Sequence, residues 1–224
     1  MVRKPRRDSA FKHDHRVQRL RFANGYANFD WNKVLWSDEK TFWLINRNNA
    51  WVIRGVGEAH EQKFMLPHVR HPPKLHVWAC FSESGLGNLV CFTENMDAAL
   101  YVTILQQNLL QSARRLFGDG VPFWFQQDND PKHTSARAKR WLHNNGVQLI
   151  DWPPCSPDLN PIENLWADLN RRVELHHAKT IEELQSVIRT EWKNTSRHTL
   201  QQLVRSMPDR CAAVLQAAGS TTAY

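Results

Sequence analysis

The sequence lacks the features of membrane and exported proteins. None of its 224 residues fall in a run of 18 apolar residues, and the four basic side chains among the first seven residues have no apolar stretch behind them. We therefore expect neither a membrane span nor a secretory signal. The four cysteines include no Cys-x-x-Cys pair, and we expect reduced thiols in an intracellular protein. The histidines form no zinc pattern, so any metal is expected on oxygen ligands.

Positive charge is concentrated at the start of the chain. Residues 1–22 contain eight basic and two acidic side chains, whereas the other 202 residues contain 21 basic and 20 acidic ones. A basic arm before a nearly neutral body is typical of contact with nucleic acid, and a solvated tail is the alternative. The candidate DNA contacts in this arm are Arg3, Lys4, Arg6, Arg7, Lys12 and Arg16.

The hydrophobic pattern predicts a mixed-sheet α/β domain, because early strands precede alternating helices and strands and then helices alone. Apolar stretches predict strands over 34–44, 74–81, 88–92, 123–127 and 147–152, with a hairpin partner over 51–54. Helical spacing predicts helices within 8–30 and over 97–117, 133–145, 162–176, 180–194 and 197–217. The strand over 74–81 is expected to be buried on both faces.

Three acidic residues stand at element boundaries. Asp38 lies in the first strand, Asp128 follows the strand over 123–127, and Glu163 lies in the first turn of a helix. The helix, strand and loop between Asp128 and Glu163 return that helix start to the carboxyl end of the strand, where open α/β sheets bind ligands. Converging carboxylates cannot all stay ionised without a cation. Mg²⁺ or Mn²⁺ would resolve the conflict, and two such ions can serve phosphoryl transfer.

Each of these acids also has a purely structural interpretation. Asp38 could be an exposed strand residue, and Asp128 could open a turn. Glu163 stands third in a helix that starts with an Asn-Pro pair, which is typical of a capping box. The spacing alone therefore leaves the catalytic and the structural interpretation open.

Three motifs resemble those of the Tc/mariner superfamily of cut-and-paste DNA transposases. They cover residues 36–39 (WSDE), 126–135 (QQDNDPKHTS) and 151–166 (DWPPCSPDLNPIENLW). The segment from Met207-Pro208 through Arg210-Cys211 to Tyr224 also resembles the end of that family, and the likeness extends from about residue 30 onward. A Glu as third acid, separated from the second acid by 34 intervening residues, resembles the Tc branch, since mariner proper carries Asp there.

The resemblance implies an α/β fold with an RNase H-like mixed five-stranded sheet flanked by helices. This catalytic domain would cover 31–224, after a basic arm or linker with a short helix over 1–30. Asp38, Asp128 and Glu163 would be the catalytic and metal-ligating residues, with two Mg²⁺ or Mn²⁺ ions. The implied activity is metal-dependent hydrolytic cleavage of double-stranded DNA at transposon ends, followed by attack of the freed 3′-hydroxyl on a TA target.

The second motif adds Lys132 and His133 to the expected DNA contacts. Asp130 and Asp158 also lie within the motifs, but the catalytic acids of the family align elsewhere. We interpret both as turn or cap residues, because each is next to a proline.

One departure from the family pattern concerns DNA recognition. Family members normally carry paired helix-turn-helix modules before the catalytic domain, and too few residues precede Asp38 for two of them. We expect a truncated chain, a fragmentary reading frame or a domesticated domain that recognises transposon ends weakly. We also expect a homodimer on DNA, located in the nucleus. The alternatives are a catalytically inactive DNA-binding remnant and a structure-selective ribonuclease of the same fold.

Overall fold

The computed structural model describes residues 12–44 and 73–224, which form a mixed five-stranded sheet with helices on both faces. Arg3, Lys4, Arg6, Arg7 and the predicted hairpin partner over 51–54 lie outside the described residues. No helix within these ranges is long and apolar enough to cross a membrane. The strands are β1 (Val34–Trp43), β2 (Lys74–Ser82), β3 (Gly85–Phe92), β4 (Trp124–Gln126) and β5 (Gln148–Leu149). The helices are α1 (His13–Gly25), α2 (Ala98–Phe117), α3 (Pro131–Thr134), α4 (Ala136–Asn144), α5 (Pro161–Glu174), α6 (Ile181–Lys193), α7 (Arg197–Arg205) and α8 (Met207–Gln216).

The sheet order is β3-β2-β1-β4-β5. β1, β2 and β3 pair antiparallel, whereas β4 runs parallel to both β1 and β5. The junction between β1 and β4 is fixed by side chains as well as by the strand ladder. The Ser37 hydroxyl donates to the Gln126 carbonyl at 2.8 Å, and the Ser37 amide donates to the Gln126 side-chain oxygen at 3.3 Å.

Two hydrophobic cores lie on opposite faces of the sheet. One is formed with α1, α5, α6, α7 and α8, and the other with α2 and α4. β2 contributes Val77 and Ala79 to the first core and Trp78 and Cys80 to the second. The prediction that this strand is buried on both faces is therefore confirmed.

Backbone chemistry shortens or divides several predicted elements. The predicted helix over 197–217 is divided into α7 and α8, because Pro208 in the first turn of α8 has no N–H to continue the preceding helix. The predicted strand over 147–152 is reduced to β5. Its pairing stops after the Ile150 amide donates to the Phe125 carbonyl, since the Asp151 amide donates to the Tyr26 hydroxyl instead. The four cysteines are free thiols.

A buried ion pair joins α1 to the proline-rich loop before α5. Arg19 is fully buried and donates to both carboxylate oxygens of Asp158 at 2.7 Å. It also donates to the carbonyls of Gly219 and Ser220, and Thr222 donates to Asp158 through both its amide and its hydroxyl. Asp158 lies in a single 3₁₀ turn over Pro157–Leu159, as expected of a turn residue, but its carboxylate is used in this long-range network and caps no helix.

Candidate functional site

The parallel register of β1 and β4 places two of the three acids side by side. Trp36 on β1 is the register partner of Gln126, the last residue of β4. Asp38 and Asp128 each lie two residues further along parallel chains. They therefore meet at the carboxyl edge of β4, with neighbouring strands about 4.8 Å apart.

Helix α5 brings the third acid to the same edge. Glu163 lies in the first turn, and Trp166 lies three residues later on the same side of the helix. The Trp166 indole N–H donates to Oδ2 of Asp38 at 3.0 Å, and the indole is fully buried in the core between α5 and β1. This hydrogen bond orients α5 so that the side of the helix that carries Glu163 faces β1.

The start of α5 is capped without the help of the Glu163 side chain. Asn160 accepts a hydrogen bond from the Ile162 amide through its side chain, and Pro161 occupies the first turn. The Asn160 amide donates to the Pro157 carbonyl, whereas a capping box would require it to donate to Glu163. The reciprocal capping box is therefore not formed, and the Glu163 carboxylate lines the cleft.

The three acids line one cleft of about 310 Å³. One wall is the proline-rich loop over 152–157, and the other is the turn after β4. The Asn129 side chain joins the two walls by donating to the Trp152 carbonyl at 2.7 Å. The structure thus brings together Asp38, Asp128 and Glu163 from three distant parts of the sequence.

Burial and mutual repulsion make two of these carboxylates reluctant to ionise. Burial raises the pKa of Asp38 to about 8, and the charges of Glu163, Glu39 and Asp128 add to the effect. Burial also raises the pKa of Glu163, and Asp128 contributes while Lys40 opposes the rise. Negative charge at this edge is therefore destabilising unless a positive group shares it.

The third carboxylate is ionised and held by His133. Burial would raise the pKa of Asp128, but hydrogen bonds from the His133 ring and the Asp130 amide outweigh it and lower the pKa. The second ring nitrogen of His133 contacts Glu39 at 3.1 Å. Burial would lower the pKa of His133, but its bonds to the two carboxylates raise the pKa to about 9. The imidazole is thus a buried cation between two anions.

A second layer of hydrogen bonds fixes the His133 ring. Tyr101 on α2 donates to the Gln127 side chain at 2.6 Å, and the Gln127 amide group donates to the His133 carbonyl at 3.3 Å. The Tyr101 ring also packs on the imidazole, with ring centroids 4.2 Å apart. Tyr101, Gln127 and Trp166 are not among the site residues predicted from the sequence. Only Trp166 could have been predicted, because its spacing of three residues from Glu163 places both on the same side of a helix.

The structure does not support His133 and Lys132 as DNA contacts. His133 is 3% exposed, and carboxylates occupy both of its ring nitrogens. The Lys132 ammonium lies 2.8 Å from Asp130 and 3.4 Å from Glu39. These groups are bound within the protein, so they are not free for phosphates. Asp130 accepts from the Lys132 amide at the start of α3, which confirms its interpretation as a cap.

Two of the six candidate DNA contacts in the arm are described by the structure, and they lie at or within α1. The side chains of Lys12, just before the helix, and Arg16, within it, are exposed, and both therefore remain predicted DNA contacts. Arg19 contributes to the positive charge of the arm but is buried in the ion pair with Asp158.

Comparison with known proteins agrees with this geometry. The family model for the DDE superfamily endonuclease matches residues 33–185. The Tc1 transposase of Caenorhabditis elegans is 37% identical over 227 residues, covering 99% of this chain and 82% of that protein. The Tcb1 transposase of Caenorhabditis briggsae is 35% identical, covering 94% of this chain and 78% of that protein.

A solved structure shows the same fold. The crystal structure of the Mos1 mariner paired end complex with Mn superposes with a TM-score of 0.82 at 17% identity, covering 99% of this chain and 68% of that one. The RNase H-like architecture expected from the motifs is thereby confirmed. With the endonuclease model and the Tc1 and Tcb1 relatives, it follows that this chain belongs to the Tc1/mariner superfamily of DDE transposases and carries their endonuclease domain.

Proposed function

We propose that the cleft is the catalytic site of a metal-dependent DNA transposase, with Asp38, Asp128 and Glu163 as its catalytic and metal-ligating residues. The observation that carries this proposal is the convergence of three carboxylates from β1, the turn after β4 and α5 on one cleft. The proposed reaction is hydrolytic cleavage of duplex DNA at transposon ends. The freed 3′-hydroxyl then attacks a TA target.

The donor set suits two divalent cations. Carboxylate oxygens are the ligands that Mg²⁺ and Mn²⁺ prefer, and the raised pKa values of Asp38 and Glu163 indicate a site where positive charge is needed. The Mos1 complex that matches the fold was solved with Mn. Two bound ions would activate the attacking oxygen and stabilise the leaving one.

The side chains need some rearrangement to share an ion. Across 12–44 and 73–224, no group of three or more His, Cys, Asp or Glu side chains could hold a metal as it stands. Trp166 engages Oδ2 of Asp38, and His133 engages Oδ1 of Asp128. Once their side chains rearrange, Asp38, Asp128 and Glu163 would together hold the ions.

The remaining residues of the site would position the carboxylates. Trp166 orients Asp38, and His133 keeps Asp128 ionised and fixed. Trp152 and the prolines that follow it form an apolar wall that would restrict water around the scissile phosphate. Trp166, His133 and the apolar wall would thus position the site, and the three carboxylates in the cleft would carry out the reaction.

The proposal also includes the parts and partners expected from the sequence. Residues 1–30 would act as a basic arm on double-stranded DNA, and residues 31–224 would form the catalytic domain. The second half of that arm is helix α1, which packs on the catalytic body through Arg19 and α8. A homodimer on paired DNA ends and a nuclear location belong to the same proposal.

Nicking of supercoiled plasmid in Mg²⁺ or Mn²⁺ tests the proposal. We expect Asp128→Ala and Glu163→Gln to lower the rate at least about 100-fold, since changes around metal ligands alone cost about 10–100-fold. Glu163→Gln keeps a good helix former in the first turn of α5. Asp119→Ala is the control, because this exposed acid lies in another part of the fold and pairs only with Arg114 among the described residues.

The outcomes separate the alternatives. Equal nicking by the wild-type protein and Asp128→Ala would refute the catalytic assignment. Wild-type protein that binds DNA but does not nick it in either metal would instead establish the catalytically inactive DNA-binding remnant.

A further inference from the structure

Helix α4 presents a continuous cationic face to solvent. Its buried residues are Ala138 and Leu142, whereas Arg137, Lys139 and Arg140 are exposed. Successive helical residues are rotated by about 100°. Arg140 therefore points directly away from the buried side, and Lys139 and Arg137 flank it. The solvent side of the helix is basic across its whole width.

The charge of this segment contrasts with the rest of the body. Residues 131–150 contain four Lys or Arg side chains and no acid. The other residues beyond position 22 contain 17 basic and 20 acidic side chains, so they are net acidic. The positive charge of the body is thus concentrated on and beside α4.

The three cations of α4 have no acidic partners in the described ranges. Three other surface arginines do, since Arg171 pairs with Asp168, Arg205 with Glu83 and Arg114 with Asp119. The ion pairs found within 12–44 and 73–224 include none of Arg137, Lys139 and Arg140. Their charges are therefore available to an external anion.

The position of α4 relates this face to the cleft. The helix begins directly after α3, whose His133 contacts Asp128, and its start is capped by the Ser135 hydroxyl. α4 packs with α2 in the core on one face of the sheet, whereas α1, which is part of the basic arm, packs in the core on the other face. Basic surfaces thus lie on both sides of the acidic edge.

We propose that the solvent face of α4 binds the phosphate backbone of duplex DNA, as a contact separate from that of the arm. This inference rests on the proposed function, because it gives the same cleft a second DNA surface. α4 is about 13 Å long, a length over which a duplex presents about eight phosphates. Arginine guanidinium groups bind phosphates in a bidentate manner, without reading the bases.

DNA affinity in EDTA tests this proposal without any need for catalysis. The variant Arg137→Gln/Lys139→Gln/Arg140→Gln removes three charges and keeps good helix formers. The control Arg189→Gln/Lys193→Gln/Arg197→Gln removes three exposed charges from α6 and α7, on the other face of the sheet. Binding of a fluorescent 30-base-pair duplex is measured by anisotropy between 50 and 200 mM NaCl.

We expect the α4 variant to bind about tenfold more weakly at 0.1 M salt, with a salt slope lower by about 2 to 3. The control should stay within about twofold of the wild-type protein. Unchanged binding by the α4 variant, or equal losses in both variants, would overturn the proposal.

A measurement on the wild-type protein tests the same contact even if the α4 variant does not fold. Lysine acylation, followed by mass spectrometry with and without the duplex, should show protection of Lys139 but not of Lys193. Equal labelling of Lys139 in the two states would also overturn the proposal. Both assays contain EDTA, so they do not depend on catalysis. A failure to nick DNA would refute the proposed function without affecting the α4 contact, and a failure of the α4 contact would leave the proposed function standing.

Discussion

Removing the Asp158 carboxylate should be among the most destabilising single changes in the chain. The side chains of Arg19 and Asp158 are 0% and 5% exposed and form two hydrogen bonds of 2.7 Å. Removing one partner of a buried ion pair leaves an uncompensated charge, which costs about 3–5 kcal/mol. We expect Asp158→Ala to lower the free energy of unfolding by that amount. Urea denaturation followed by tryptophan fluorescence would measure it.

Asp168→Ala is the matched control for this experiment. Asp168 also pairs with arginines, at 2.7 Å to Arg171 and 3.0 Å to Arg172, but its side chain is 37% exposed. An exposed pair contributes about 0–1 kcal/mol. Equal losses of stability in Asp158→Ala and Asp168→Ala would refute the reasoning, which assigns the difference to burial.

Two further measurements test the same ion pair. The double variant Arg19→Met/Asp158→Leu leaves no buried charge, so it should be less destabilised than the sum of the single variants. Burial would raise the pKa of Asp158, but Arg19 and Thr222 outweigh it and lower the pKa. The stability gained from Asp158 is therefore present above pH about 4 and lost as the pH falls through its lower folded pKa. The difference between wild type and Asp158→Ala should shrink in acid.

Three more predictions concern the site and the sheet. Trp166→Phe removes the N–H that orients Asp38 but keeps an aromatic ring, so nicking should fall about 10–100-fold with an unchanged circular dichroism spectrum. Mg²⁺ should raise the melting temperature more at pH 8.5 than at pH 6, because Asp38, with a pKa of about 8, must lose its proton to bind a cation. Scanning fluorimetry would measure this difference, and Asp38→Asn should abolish it. Gly87→Ala should cost about 1–3 kcal/mol in urea denaturation, because its Cβ would overlap the Cys80 side chain and carbonyl.

Local sequence signals were sufficient for most elements and for the three acids. The helical spacing that predicts a helix over 97–117 agrees with α2, and the Asn160–Pro161 pair marks the start of α5. These features depend on residues within a few positions of one another. The motifs around Asp38, Asp128 and Glu163 also predicted which carboxylates would be close together, although their catalytic role stays a prediction.

Contacts between distant segments could not be predicted in the same way. Arg19 and Asp158 are 139 positions apart, and an arginine in a basic arm has the same local sequence whether it is buried or solvated. The second motif adds His133 to the expected DNA contacts, but the residue is buried. Its burial depends on Glu39, 94 positions away on β1. Only tertiary packing determines these partners.

The order of synthesis gives the network around Arg19 a further consequence. Arg19 donates to the carbonyl of Gly219, which is synthesised 200 residues later, or about 10–40 s at ribosomal rates of about 5–20 residues per second. Until then, Arg19 lacks its acceptors at the carbonyls of Gly219 and Ser220, and the loop before Glu163 lacks the bonds of Thr222 to Asp158. Nascent chains should therefore hold an incomplete cleft throughout translation. Chains that end before Gly219 should therefore bind DNA but nick it more slowly than the full chain, because one wall of the cleft lacks these bonds.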